Sequence, residues 1–128
     1  MRYLGIDFGL RHVGLAIADG PLAEPLGEKI NNERTLEYLR KLVEDKVIDK
    51  IVIGLPEGRL AEIVKKFGAE LAKLTDREVF YQDETLTSQE ARLKLIEAGA
   101  PQKKRRQDHR AAAALILQGF LDIMESRR

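Results

Sequence analysis

The 128-residue chain contains no cysteine, carries 34% Asp, Glu, Lys and Arg, and has a formal net charge of only +1. This length suffices to bury a core as one domain over residues 1–128, and the missing thiols exclude a cysteine nucleophile, a disulfide framework and a cysteine-based zinc site. With no charged leader ahead of a long apolar run and no stretch of membrane-spanning length, the composition predicts a soluble, cytoplasmic protein with no membrane partner.

The chain opens on Tyr3-Leu4-Gly5-Ile6-Asp7-Phe8, an apolar run broken by one carboxylate with Gly5 and Gly9 on either side of it. The run reads as a buried strand, and glycine within it lets another backbone or a phosphate approach. After a turn through Leu10-Arg11-His12 the pattern resumes as Val13-Gly14-Leu15-Ala16-Ile17-Ala18, which predicts a β-hairpin with Asp7 at its mouth. Asp19-Gly20-Pro21 is a turn signal, and Gly27-Glu28-Lys29-Ile30 supplies a short third strand. Asn31 or Asn32 then caps a helix with Leu36, Leu39, Val43 and Val47 on its buried face and Glu37, Lys41 and Glu44 opposite.

Lys50-Ile51-Val52-Ile53-Gly54-Leu55 is a β-branched strand stopped by Pro56, and Gly58 gives room to turn into a helix that buries Ile63, Val64, Phe67, Leu71 and Leu74. Glu78-Val79-Phe80-Tyr81 is a further strand that ends at Gln82-Asp83-Glu84. Thr87-Ser88-Gln89-Glu90 fits a capping box, so a helix begins just past Glu84 and closes at Gly99, with Pro101 beyond. A last helix, about 107–124, is dense enough in Ala, Leu and Ile to be largely buried. A hairpin followed by alternating strands and helices predicts an α/β fold, a mixed sheet with helices packed on its faces.

Asp7, Glu84 and Asp108 fall at element ends rather than on solvated helix faces. Strand ends on one side of such a sheet form the crevice where α/β proteins hold ligands. If the three converge, oxygen ligands select a hard cation, Mg²⁺ or Mn²⁺. Two such ions about 3.5–4 Å apart activate water and stabilise the departing oxygen of a phosphodiester. Each acid also has an ordinary reading. Asp7 suits bonds to turn amides, Glu84 a helix N-terminal dipole, and Asp108 an N-cap. Their joint placement carries the functional reading.

Lys103-Lys104-Arg105-Arg106, followed by Arg110, clusters positive charge around Asp108, as Arg11 does near Asp7 and Arg59 beyond the strand that Pro56 stops. Cations bordering an acidic site suit a polyanion whose phosphates must be neutralised while one is cut. A solvated loop is the ordinary alternative for such a run. No aromatic is interleaved, which argues against a stacking platform. His12 and His109 flank the first and third acids as proton shuttles or as plain surface histidines.

Four segments together, Met1-Arg2-Tyr3-Leu4-Gly5-Ile6-Asp7-Phe8-Gly9, Ile53-Gly54-Leu55-Pro56, Asp83-Glu84-Thr85-Leu86-Thr87-Ser88 and Asp108-His109-Arg110-Ala111-Ala112 with Ile116-Leu117-Gln118, resemble in order the motifs of the YqgF/RuvX family. The resemblance implies a ribonuclease H-like fold, similar to the RuvC resolvase, and a nuclease that processes the 5′ end of pre-16S ribosomal RNA in ribosome biogenesis. Holliday-junction resolution on branched DNA is the family's second proposed role. Carried over by position, the catalytic and metal-binding acids are Asp7, Glu84 and Asp108. Structured RNA and ribosomal precursor particles become the expected partners, with the protein a monomer or a homodimer. Thr85 stands where relatives usually carry arginine, and Glu57-Gly58-Arg59 replaces a longer loop. A non-catalytic RNA-binding assembly factor is accordingly the competing class. A sugar-kinase-like lobe ranks last, because ATP would need a second lobe.

Overall fold

Residues 1–84 and 109–126, the part of the chain that the computed structural model describes, are built around five strands and three helices. In chain order these are β1 (Tyr3–Phe8), β2 (His12–Ala18), β3 (Ala23–Ile30), α1 (Thr35–Asp45), β4 (Lys50–Leu55), α2 (Arg59–Thr75), β5 (Glu78–Asp83) and α3 (His109–Ser126). The sheet order is β3-β2-β1-β4-β5. The β1–β2 and β2–β3 pairs are antiparallel, and the β1–β4 and β4–β5 pairs are parallel. None of the described helices is long and apolar enough to cross a membrane.

Strand alternation divides the core into two unlike halves. Leu4, Ile6 and Phe8 of β1 join Val13, Leu15, Ile51 and Ile53 on one face, packed against Leu39 and Val43 of α1 and Val64, Phe67 and Leu71 of α2. The other face presents Ala16, Ala18 and Val52 to Ala113, Ala114, Ile116, Leu117 and Phe120 of α3. β4 is covered on both sides, which is why it reads as a continuous β-branched run.

The face under α3 is bare at Gly5, and that lets the helix come close there. A Cβ at Gly5 would stand 2.8 Å from Leu117 Cβ and 3.1 Å from the Ala113 carbonyl oxygen. Wholly buried Gln118 fixes the helix laterally. Its Oε1 accepts from the Ala23 N–H at 2.8 Å, and its Nε2 donates to the Pro21 carbonyl at 2.9 Å and to Asp122 Oδ1 at 3.1 Å.

Several expectations need correction. β3 begins at Ala23 rather than near Gly27, because a bulge opposite Leu15 and Ala16 absorbs one residue beside Pro25, which has no N–H to lend an inner ladder. Neither Asn31 nor Asn32 caps α1, whose N-cap is Arg34. Asn31 Nδ2 instead donates to the Gly9 carbonyl at 2.8 Å, and Asn32 Oδ1 accepts from the Arg34 N–H at 2.9 Å in a turn ahead of the helix. In α2, Ile63 and Leu74 stay about half exposed at the margins of the apolar stripe. The helix expected after Glu84, with Gly99 and Pro101, lies outside the described residues.

Val47 is likewise not part of the buried face of α1. The helix stops at Asp45, and the N–H groups of Val47 and Ile48 return to the Glu44 and Val43 carbonyls, at 3.2 and 2.9 Å. This is a Schellman ending, with Val47 in the left-handed slot at φ 53° and 65% exposed while Ile48 turns into the core. A β-branched residue there costs about 1–2 kcal/mol, part of which glycine would return through its more flexible unfolded chain. Val47→Gly should therefore raise stability by about 0.5–1 kcal/mol, read as a higher urea midpoint at unchanged slope.

Candidate active site

Asp7 sits one residue from the end of β1, half-buried on the face that α3 covers. Its ladder partner on β2 is Gly14. On the other side the ladder pairs Ile6 with Ile53, which brings Gly54 of β4 level with Asp7. Glu84 follows β5 directly, one full strand farther away. Its side chain crosses the gap over the bare backbone of Gly54. A Cβ on Gly54 would stand 2.8 Å from Glu84 Oε1 and 3.1 Å from Glu84 Cγ, and equally would strike Ile116 Cδ1 at 2.5 Å.

The crossing brings the Glu84 carboxyl beside that of Asp7, within reach of a hydrogen bond to it. Two carboxyl groups can bond in this way only if one holds a proton. The Glu84 carboxyl accordingly rises from its ordinary 4.5 to about 7, chiefly through burial, then through the charge of Asp7, the hydrogen bond to it and the charge of Asp83.

The N-terminal end of α3 completes this corner. Leu117 and Ala113 lie over Gly5, and farther along the helix Phe120 packs on Tyr3 and Phe80 with ring centroids 5.9 and 5.2 Å apart. The helix thus runs antiparallel to β1 and directs its positive pole towards the Asp7 end of the sheet. Arg110 is in its first turn, half-buried. Arg11, in the β1–β2 turn, and Arg59, opening α2 beyond the end of β4, are exposed at the same end. Asp108, Lys103, Lys104, Arg105 and Arg106 lie outside the described residues. Among the described residues, no three Asp, Glu or His side chains form a metal-holding group.

Sequence reasoning did not single out Gly54 and Gly14, the spaces on either side of Asp7. The signal for Gly54 was its place in an otherwise β-branched strand, where glycine marks a close approach. His12 carried no directional signal. The register turns it to the Asp7 face, since it lies two residues from Gly14.

The RuvX family, described as "Holliday junction resolvase", matches residues 1–123. A protein named "Putative pre-16S rRNA nuclease" from Agathobacter rectalis is 35% identical over 100% of this chain and 99% of its own. One of the same name from Bacillus cytotoxicus is 39% identical over 95% of this chain and 98% of its own. Among solved structures, Thermus thermophilus RuvC in complex with a Holliday junction substrate superimposes with TM-score 0.70 at 15% identity, covering 98% of this chain and 96% of that one. The Fowlpox virus resolvase bound to Holliday junction DNA gives TM-score 0.57 at 11% identity, over 99% of both chains. At these identities the structural likeness speaks to the fold, which is RNase H-like.

The raised Glu84 carboxyl sets a sign for the pH dependence of stability. A folded-state pKa above the unfolded one gives stability that is complete below about pH 4.5 and is lost as the pH rises through about 7. In chelator, Glu84→Gln should therefore melt higher than the wild type at pH 8, with the advantage vanishing near pH 4. Gly54→Ala meets only side-chain ends and the Glu84 Cγ, so the fold should survive with a loss of about 1–3 kcal/mol. By displacing Glu84 it should also bring that carboxyl back towards the ordinary range, as followed by carboxyl-carbon NMR titration.

Proposed function

The chain belongs to the RuvX family, and on that premise we propose that it is a metal-dependent nuclease that processes the 5′ end of pre-16S ribosomal RNA. The observation that carries the reading is the meeting of Asp7 and Glu84 across Gly54. Two half-buried carboxyl groups held against their own repulsion form an oxygen donor set that a hard cation would relieve, and the chain offers no softer thiol ligand. The donor set fits Mg²⁺ or Mn²⁺.

A divalent cation bound there supplies Lewis-acid polarisation of a phosphoryl oxygen and makes a nearby water more acidic. Asp7 and Glu84 would hold it, with Asp108 as the third acid. Glu84 must give up its proton to do so, which makes cation binding stronger as the pH rises through its titration. The α3 N-terminus favours negative charge at the corner, and Arg11, Arg59, Arg110, Lys103, Lys104, Arg105 and Arg106 neutralise phosphates along the strand. These cations set position rather than sequence, because they lack accompanying Asn or Gln readers. On the same reading residues 1–128 form one cytoplasmic domain, acting on structured RNA in ribosomal precursor particles as a monomer or homodimer. Resolution of branched DNA is a second reading, favoured by the family's description and by the RuvC fold. It requires two sites arranged symmetrically, hence a dimer.

The test is cleavage of a precursor rRNA fragment and of a four-way DNA junction with Mn²⁺, by wild type and by Asp7→Asn. The RNA should be cut, and Asp7→Asn should slow cutting by at least about a hundredfold, the scale that loss of a metal site's supporting partners alone can reach. In chelator the variant should melt at or slightly above the wild-type temperature. Cutting of the junction alone would favour the second reading, and a sharply lower melting temperature would make Asp7 a structural acceptor.

A further inference from the structure

The turn between β1 and β2 carries an apolar tip at the end of the sheet that holds Asp7. Leu10 is 68% exposed and Ile30 is 65% exposed. Backbone pairing sets their segments side by side. His12 is the ladder partner of Ile30, and the Asn31 N–H donates to the Arg11 carbonyl at 2.8 Å. The tip is also braced. Asn31 Nδ2 holds the Gly9 carbonyl at 2.8 Å, and Gly9 lies so close to the returning strand that a Cβ would stand 2.6 Å from the His12 carbonyl oxygen.

Register fixes which way Ile30 faces. Asp7 pairs with Gly14, His12 lies two residues along on the same side of β2, and Ile30 pairs with His12. Asp7, His12 and Ile30 therefore line one face in a diagonal across three strands. Exposed Arg11 stands between Leu10 and His12. An aliphatic point on the end of the sheet that also carries a cation, a histidine and Asp7 is chemically mixed in a way that suits nucleic acid, with phosphates for the cation and an uncovered base face for Leu10 and Ile30. Asp7 is half-buried, so a phosphate has to come close to this end of the sheet to reach it, and a fully stacked helix resists such an approach. Leucine and isoleucine are among the side chains that proteins insert between base steps to unstack and kink them.

We propose that Leu10 and Ile30 form a wedge that unstacks the nucleobase beside the scissile phosphate, with Arg11 holding the adjoining phosphate. This rests on the nuclease reading for its substrate, but its test needs no hydrolysis. A hairpin RNA with a 5′ single-stranded extension, carrying 2-aminopurine at successive positions across the junction, is bound to the full chain in chelator. One position should brighten with wild type. The Leu10→Ser/Ile30→Ser double variant should leave that position as dark as free RNA and bind about tenfold more weakly. Leu10→Met/Ile30→Met should keep the brightening, and Arg11→Ala should weaken binding while keeping it. Melting curves check that each variant is folded. If no position brightens with wild type, or if the serine variant brightens it equally, the wedge is overturned. Failure of the wild type to cut RNA with Mn²⁺ would overturn the nuclease reading instead, and the fluorescence would still decide on the wedge.

Discussion

Glu84 can touch Asp7 only because one residue of the strand between them has no side chain. Neighbouring strands lie about 4.8 Å apart, so a group just past β5 is about 10 Å from one on β1. A glutamate spans that distance only by lying flat on the sheet. Gly54 provides the flat surface, and Ile116 of α3 rests on the same glycine. The candidate site and the packing of the helix above it therefore share one constraint, and the side chain that α3 presents there limits where the carboxylate can lie.

The two faces of the sheet divide the work. Bulky aliphatic and aromatic residues fill the space beneath α1 and α2, and Phe8 and Phe67 meet there with centroids 4.7 Å apart. That half has the larger apolar side chains and carries more of the hydrophobic stabilisation. Beneath α3 the sheet offers Gly5, Gly54 and small alanines beside Val52, with Tyr3 and Phe80 meeting Phe120 farther along, and at the glycines the gain is closeness rather than area. Close approach brings the helix's positive pole to the carboxylates, while Gln118 ties the middle of the helix to the start of β3. Small residues here are a requirement of geometry.

Two charged acids held together repel, and the raised Glu84 carboxyl, which keeps its proton to higher pH, eases that repulsion. Local destabilisation of this kind persists where the surrounding structure over-determines it. Here the pairing of β4 with β5, the bare backbone of Gly54 and Ile116 of α3 set the path that Glu84 takes across the sheet. On the proposed reading the arrangement would be a cation site set up by the fold, with Arg11 and Arg59 exposed at the same end of the sheet.

Much of this was legible in the residues themselves. The bounds of β4, the hairpin opening and the solvated face of α1 follow from alternation, Pro56 and periodicity, because these report local burial directly. Asp7 and Glu84 stood out as acids at strand ends. Where the sequence misled, the deciding contact was not local. Val47 continues the apolar stripe of α1, but a stripe does not say where a helix stops, and here Ile48 takes the buried place through a left-handed turn. Asn31 has the chemistry of a cap and is used instead on the carbonyl of Gly9, across a turn distant in sequence. The sequence by itself determined the types of the described elements, the two faces of β1, β2 and β4 and the presence of acids at strand ends, since each depends on neighbours in the chain. Only the tertiary structure decided that β4 lies between β1 and β5, that Glu84 crosses it to Asp7, and that His12 and Ile30 turn to the same side. Those facts come from strand order and register, which are set by how distant segments pair and pack.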